Sequence, residues 1–245
     1  MRALWATVVV VAGCGRIGFA QLDGGAVGDA AVTGDGAAGL CPAFATFCDN
    51  FESGDVSKWT TTYVTNGATL VVDGAHAHSG SRALHGTVPP GTPGDAAAAV
   101  LDYSIRTTGV LAVREWVYQP VPLTNFDGVI ILETQAGGPP TLLVGADDNQ
   151  DWVASEGTTT SGTQDHSSTL LAVTSTWTCV ELDYRFGVPS HIDVYVNDVS
   201  VLSVAAVQAS AQFDELFVAV GRAQVNGSES IVDDVAVASQ HIGCQ

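Results

Sequence analysis

The chain has 245 residues, 46% of them hydrophobic, which is enough to enclose a substantial core. Only 8 Lys and Arg stand against 26 Asp and Glu, for a formal net charge of −18. A field of that sign repels nucleic acid and anionic lipid headgroups, so neither is expected as a partner, whereas it attracts Ca2+ and keeps a protein soluble.

The N-terminal segment comes first. Arg2 precedes the apolar stretch Ala3 to Val11, and Ala12-Gly13-Cys14 follows. A positive start, an apolar middle and small residues before a cut make an export signal. The run is too short for a bilayer-spanning helix, which needs roughly 20 apolar residues. Val11-Ala12-Gly13-Cys14 resembles the lipobox of bacterial lipoproteins. That resemblance implies a signal peptide over residues 1–13 and lipidation of Cys14. Gly15 stands where an Asp often marks inner-membrane retention in that family, so the expected location is the outer membrane or cell surface. The lipid is the expected membrane contact. Residues 14–39 are Gly, Ala and Asp with little to bury, and they read as a flexible tether. A single all-β domain is expected over residues 40–245.

Within that domain, runs rich in Val, Leu, Thr and aromatic residues alternate with Gly, Pro, Asn and Asp clusters. The predicted strands are Thr46–Glu52, Thr61–Thr65, Thr69–Val72, Arg82–Thr87, Ala97–Tyr103, Gly109–Tyr118, Gly128–Glu133, Thr141–Ala146, Trp152–Ser155, Trp177–Phe186, His191–Val196, Val199–Val204, Glu215–Gly221 and Ser230–Ala238. Asp147 to Asp151 reads as a hairpin turn. No helical period stands out, and many short strands at this length argue for a two-sheet antiparallel β-sandwich.

Cys41, Cys48, Cys179 and Cys244 follow the lipobox cysteine. An even number in an exported chain implies two disulfides. Two pairings stay open: Cys41–Cys48 with Cys179–Cys244, or Cys41–Cys244 with Cys48–Cys179.

Alternation separates the strand faces. Arg114, Trp116 and Tyr118 share one face of their strand. Glu181, Asp183 and Arg185 oppose Val180, Leu182 and Tyr184, while Tyr195 opposes Val194 and Val196, and Glu133 opposes Leu132. A water-facing sheet carrying these rings and ions would suit a glycan, whose C–H faces pack on aromatics and whose hydroxyls pair with carboxylates and Arg. Arg114, Trp116, Tyr118, Glu133, Glu181, Asp183, Arg185 and Tyr195 are therefore the candidate ligand-binding residues. The six histidines read as solvated residues in loops or at strand ends.

Phe51-Glu52-Ser53-Gly54, His78-Ser79-Gly80-Ser81-Arg82-Ala83-Leu84, Trp177-Thr178-Cys179-Val180-Glu181, Ile192-Asp193-Val194-Tyr195-Val196-Asn197-Asp198 and Ile231-Val232-Asp233-Asp234-Val235 resemble, in that order, segments of concanavalin A-like lectin/glucanase jelly-roll domains. The resemblance implies a jelly roll with adjacent first and last strands and one concave sheet. It also implies a structural Ca2+ held by Glu52, Ser79 and Asp233 or Asp234, with Asp49 nearby; hard oxygen ligands suit that ion. The paired-acid strand of laminarinase-type hydrolases is missing, as are the Gln-Ile-His and late Tyr segments of alginate-lyase-type enzymes. The expected function is a surface-anchored, non-catalytic, lectin-like module. The alternatives are a structural or adhesive envelope lipoprotein with protein partners, and a divergent polysaccharide lyase or glycoside hydrolase.

Overall fold

The computed structural model describes residues 41–245 apart from 92–94, 104–107, 123–126, 136–138, 148, 159–161, 208–211, 224–226 and 245, with 127, 158, 162 and 221–223 described as backbone only. The expected signal peptide, tether and Cys14 lie outside the described residues.

The described residues form fifteen strands and no helix. They are β1 (Phe47–Asp49), β2 (Thr61–Val64), β3 (Thr69–Asp73), β4 (Ala83–Val88), β5 (Asp95–Asp102), β6 (Gly109–Tyr118), β7 (Asp127–Glu133) and β8 (Thr141–Ala146). Then come β9 (Asp151–Thr158), β10 (Gly162–Leu171), β11 (Thr178–Phe186), β12 (His191–Val196), β13 (Val199–Ala205), β14 (Glu215–Ala223) and β15 (Ser228–Ala238). All pairings are antiparallel. The first sheet runs β13-β12-β11-β6-β15-β4-β3, with β1 also on β15, and the second runs β10-β9-β8-β7-β14-β5-β2. This is the expected two-sheet jelly-roll sandwich, with the first and last strands side by side: Cys48 faces Ala236 in the register of β1 on β15.

The inner faces hold the core. Leu111, Val113 and Val117 of β6, Val180, Leu182 and Tyr184 of β11, and Ile192 and Val194 of β12 meet Ile130 and Leu132 of β7, Leu142 and Val144 of β8, Trp152 of β9, and Leu216 and Val218 of β14. Each fully buried Val, Leu or Ile contributes about 1.5–3 kcal/mol. Glu115 sits among them, at the same strand parity as Val113 and Val117 and fully buried.

Alanine is a poor strand former, yet Ala96–Ala99 make up the middle of β5. The packing explains it: a Cβ on Gly86 of β4 would come within 2.8 Å of Ala97 O. The sheets close tightly at this end, and small side chains permit it.

One strand was not expected. β10 reads Gly-Thr-Gln-Asp-His-Ser-Ser-Thr-Leu-Leu, nearly without the β-branched apolar residues that mark a strand. It is an edge strand, so polar side chains do not hinder it, and they discourage pairing with another chain. The Asp147–Asp151 turn is as expected: the Asp147 carboxylate accepts from Asn149 N and Asp151 N, and Gln150 N donates to Asp147 O.

The disulfides are Cys41–Cys48 and Cys179–Cys244. The second spans 65 residues and fastens the segment after β15 to the start of β11.

Candidate functional site

The structure brings most of the expected ligand-binding residues to one face, the outer face of the first sheet. Glu181 lies between Arg114 and Tyr195 in register, and Asp183 beside Asp193. Alternation therefore assigned the side correctly. The solvation did not follow. Arg114 and Glu181 are fully buried and Asp183 nearly so, because the chain folds back over them. Ile242 packs with Ala112, Ala236 and Ala238, joined by Ala45 and Cys48 of the segment leading into and through β1. Arg114 donates to the carbonyls of Gly243 and Asp234. Glu181 accepts from Ile242 N at 2.6 Å and Gly243 N at 2.8 Å. Burial first, and the Asp183 charge after it, push the Glu181 carboxyl up to about 7, against the pull of those two amides. These side chains are the seat of the C-terminal segment, not an open groove.

The rings of this face also meet partners within the chain. His78 stacks on Trp116 at 3.8 Å, His76 stacks on Tyr118 at 4.5 Å, and Trp177 packs obliquely against His78 and Tyr118. Tyr195 packs on His241. Arg185 is exposed and ion-paired with Asp193. The expectation of solvated histidines in loops or at strand ends holds for the exposed His76 and His241 and for His191 at the start of β12, and fails at His85 and His166. His78, His85, His166, His191 and His241 each lie against a carboxylate, His85 in the interior of β4 and His166 in β10.

The residues expected around Ca2+ do come together, at the join of β15 with the loop before β4. Asp233 accepts from the amides of His78, Ser79 and Asp234. Asp234 accepts from Ser79 Oγ at 2.8 Å and faces His78 Nδ1 at 2.7 Å. Glu52 accepts from Ser81 N, Ser81 Oγ and Arg82 N, and Asp49 holds Lys58 and Trp59 Nε1. Burial and the adjacent Asp234 push the Asp233 carboxyl up to about 7. Protein donors thus occupy these acids. Among the described residues, the one group of three His, Cys or acidic ligand atoms lying within 4.8 Å of one another is elsewhere, at Glu181, Asp183 and His241.

Glu133 departs from the expected set. It belongs to β7 of the second sheet, and there it is part of an arrangement that the linear sequence hides. Glu215 of β14 faces Asp102 of β5 on one side and Glu133 on the other. Their neighbours Leu216, Leu101 and Leu132 point to the core, so the three carboxylates share the outer face. Thr141 continues the row on β8, opposite Gly157. The next row holds Val100, Phe217, Ile131 and Leu143. Phe217 is half-buried and meets the exposed ring of Tyr63 edge-on at 6.1 Å. Like charges directly opposite across strands are destabilising. Burial and then the charges of Asp102, Asp214 and Glu133 hold the Glu215 carboxyl above its ordinary range, and burial with Asp214 does the same for Asp102. A protonated carboxyl can donate as well as accept a hydrogen bond.

The sequence matches no family model and no curated protein. Among solved structures the chain is similar to "cellulose induced protein, Cip1", with 20% identity, 81% of this chain and 100% of that one covered, and a TM-score of 0.66. It is also similar to an endo-β-1,4-glucuronan lyase from the fungus Trichoderma reesei, with 11% identity, 80% and 96% covered, and a TM-score of 0.62. A third is the T. cruzi calreticulin globular domain, with 9% identity, 80% and 88% covered, and a TM-score of 0.53. At such identities the likeness is one of fold, and the fold is a jelly roll of the concanavalin A-like kind.

Proposed function

We propose that the chain is a non-catalytic glycan-binding module whose ligand lies on the outer face of the second sheet. The observation that carries this reading is the carboxylate row Asp102–Glu215–Glu133 beside the Tyr63–Phe217 ring pair. Rings pack against sugar C–H faces and carboxyls pair with hydroxyls. A repulsive row lowers stability, so its presence favours a ligand that uses it. The names of two fold neighbours, one induced by cellulose and one acting on glucuronan, agree with a carbohydrate role. The net charge of −18 and the acid row favour neutral or amino-bearing sugars over polyuronates.

Glycan arrays and pull-down on insoluble polysaccharides with the full chain test this reading. Tyr63→Ala and Glu215→Gln should each weaken capture at least tenfold, and Arg185→Ala should not. Blank arrays would return the chain to an envelope protein with protein partners. A second reading rests on the same row, since paired carboxyls on neighbouring strands are what glycoside hydrolysis requires. Reducing-end or unsaturated products that vanish in Glu215→Gln would establish cleavage in place of binding.

Two expectations from the sequence stand beside this as proposals. Export and lipid anchoring at Cys14 are tested by mass spectrometry of the mature N-terminus; an unacylated Cys14 rejects them. Ca2+ at Glu52, Ser79, Asp233 or Asp234, near Asp49, requires His78 to leave Asp234. Calorimetric titration without heat would reject it.

A further inference from the structure

His241 presents a single ring nitrogen to two carboxylates. Its Nδ1 lies 3.2 Å from Glu181 Oε1 and 3.0 Å from Asp183 Oδ2. An imidazole carries at most one hydrogen on that nitrogen, so it can serve one of these oxygens well but not both. His85 shows the ordinary alternative. Its Nδ1 faces Asp73 at 3.2 Å and its Nε2 faces Glu229 at 2.8 Å, two hydrogen bonds pointing apart with no shared centre. At His241 the three ligand atoms lie within 4.8 Å of one another.

A second observation concerns Asp183 itself. The residue is 6% exposed, and its Oδ1 has no hydrogen-bond partner among the described residues, although its Oδ2 faces His241. A buried carboxylate oxygen without a donor calls for a positive partner. The spacing also fits. Zn2+ bonds to imidazole and carboxylate are about 2.0–2.2 Å long, which sets neighbouring ligand atoms roughly 3.0–3.5 Å apart.

The scaffold around the cluster is fixed. β11 supplies both acids at alternate positions. The amides of Ile242 and Gly243 bind Glu181, and Cys179–Cys244 fastens the segment bearing His241 to the same strand. The nearby cations have other partners: Arg185 is paired with Asp193, and Arg114 donates to Gly243 O and Asp234 O. The His241 side chain is 46% exposed, so an ion can reach the site and keep a water ligand.

We propose that Glu181, Asp183 and His241 bind a divalent transition-metal ion of the zinc class, which clips the C-terminal segment to β11. One imidazole and two carboxylates suit Zn2+ and its Co2+ and Ni2+ relatives, whereas Ca2+ takes six to eight oxygens. The site lies on the opposite sheet from the proposed glycan face, so the two readings stand or fall separately.

The experiment is calorimetric titration of the full, chelator-washed chain, carrying no polyhistidine tag, with Zn2+. One ion should bind per chain. His241→Ala, an exposed and foldable change, should weaken binding at least tenfold, as should Asp183→Asn, while His85→Ala should leave it unchanged. Zn2+ should raise the Tm of the parent chain and not that of His241→Ala. No binding at 100-fold excess over a micromolar chain, or equal binding by the parent and His241→Ala, would overturn the assignment.

Discussion

Glu115 should make this fold less stable as pH rises, and replacing it should abolish that loss. Its side chain lies between the sheets, fully buried, and neither carboxyl oxygen has a hydrogen-bond partner among the described residues. Burial alone pushes the carboxyl well above its ordinary value near 4.5. The unfolded chain therefore releases this proton at a pH where the folded chain still holds it. A state that binds more protons loses stability as pH increases, here from about 4.5 up to the folded value. Each unit within that window costs about 1.4 kcal/mol. Where the folded carboxyl holds its proton through pH 6.5, the loss from this one group between pH 4.5 and 6.5 is about 2 kcal/mol, allowing for half-ionisation at the start. Asp233 and Glu181, both raised to about 7, push in the same direction, so the parent profile alone is uninformative. The difference between Glu115→Gln and the parent isolates the site. Urea unfolding with the disulfides intact should give nearly equal stabilities at pH 4.5, and the variant should lead by about 2 kcal/mol at pH 6.5, or about 4–8 °C in Tm for a domain of this size. Glu115→Leu should follow the same slope from a higher starting point, because it removes the polar group altogether. A difference that stays flat between pH 4.5 and 6.5 would refute the reasoning, for it would mean that Glu115 is hydrated or paired.

Opening Cys179–Cys244 by paired substitution to Ala should cost about 4 kcal/mol, since the bond closes a loop of 65 residues in the unfolded chain; urea midpoints measure it, and a loss under 1 kcal/mol would show that the C-terminal segment holds its place without the bond. Arg114→Ala should cost about 3–5 kcal/mol, because it strips the buried carbonyl of Asp234 and the half-buried carbonyl of Gly243 of their donor and leaves Glu181 and Asp234 without the nearby positive charge. The same midpoints measure it, and an Arg114→Ala chain as stable as the parent would mean that the seat of the C-terminal segment is hydrated.

The fold was legible because most of its strands announce themselves locally. Gly109–Tyr118, Thr141–Ala146 and His191–Val196 have the bounds that composition assigns them. β10 was not legible, because Ser, Thr and Gly at an edge leave no apolar stripe to read. The alternation of Arg114, Trp116 and Tyr118 against Val113 and Val117 found the right face but could not say what covers it. The covering comes from segments at the two ends of the domain, held by disulfides whose pairing the sequence left open. Glu115 carried a readable signal, standing at the parity of two core valines. The row Asp102–Glu215–Glu133 carried none. Its members are 31 to 113 positions apart, and register between distant strands belongs to the folded chain.

The two outer faces differ in the way their carboxylates are neutralised. On the first sheet Glu181 meets two amides, Asp193 meets Arg185, and Asp234 meets His78 and Ser79, so folding supplies these acids with donors. Asp183 is less well served among the described residues, since its Oδ1 has no donor there. On the second sheet Glu215 has acids on both sides, and they raise its affinity for a proton. A polyhydroxylated ligand would gain donors and acceptors along it, with the Tyr63 and Phe217 rings to pack against. A face that is repulsive when empty and complementary when filled is better suited to binding than to holding the sandwich together.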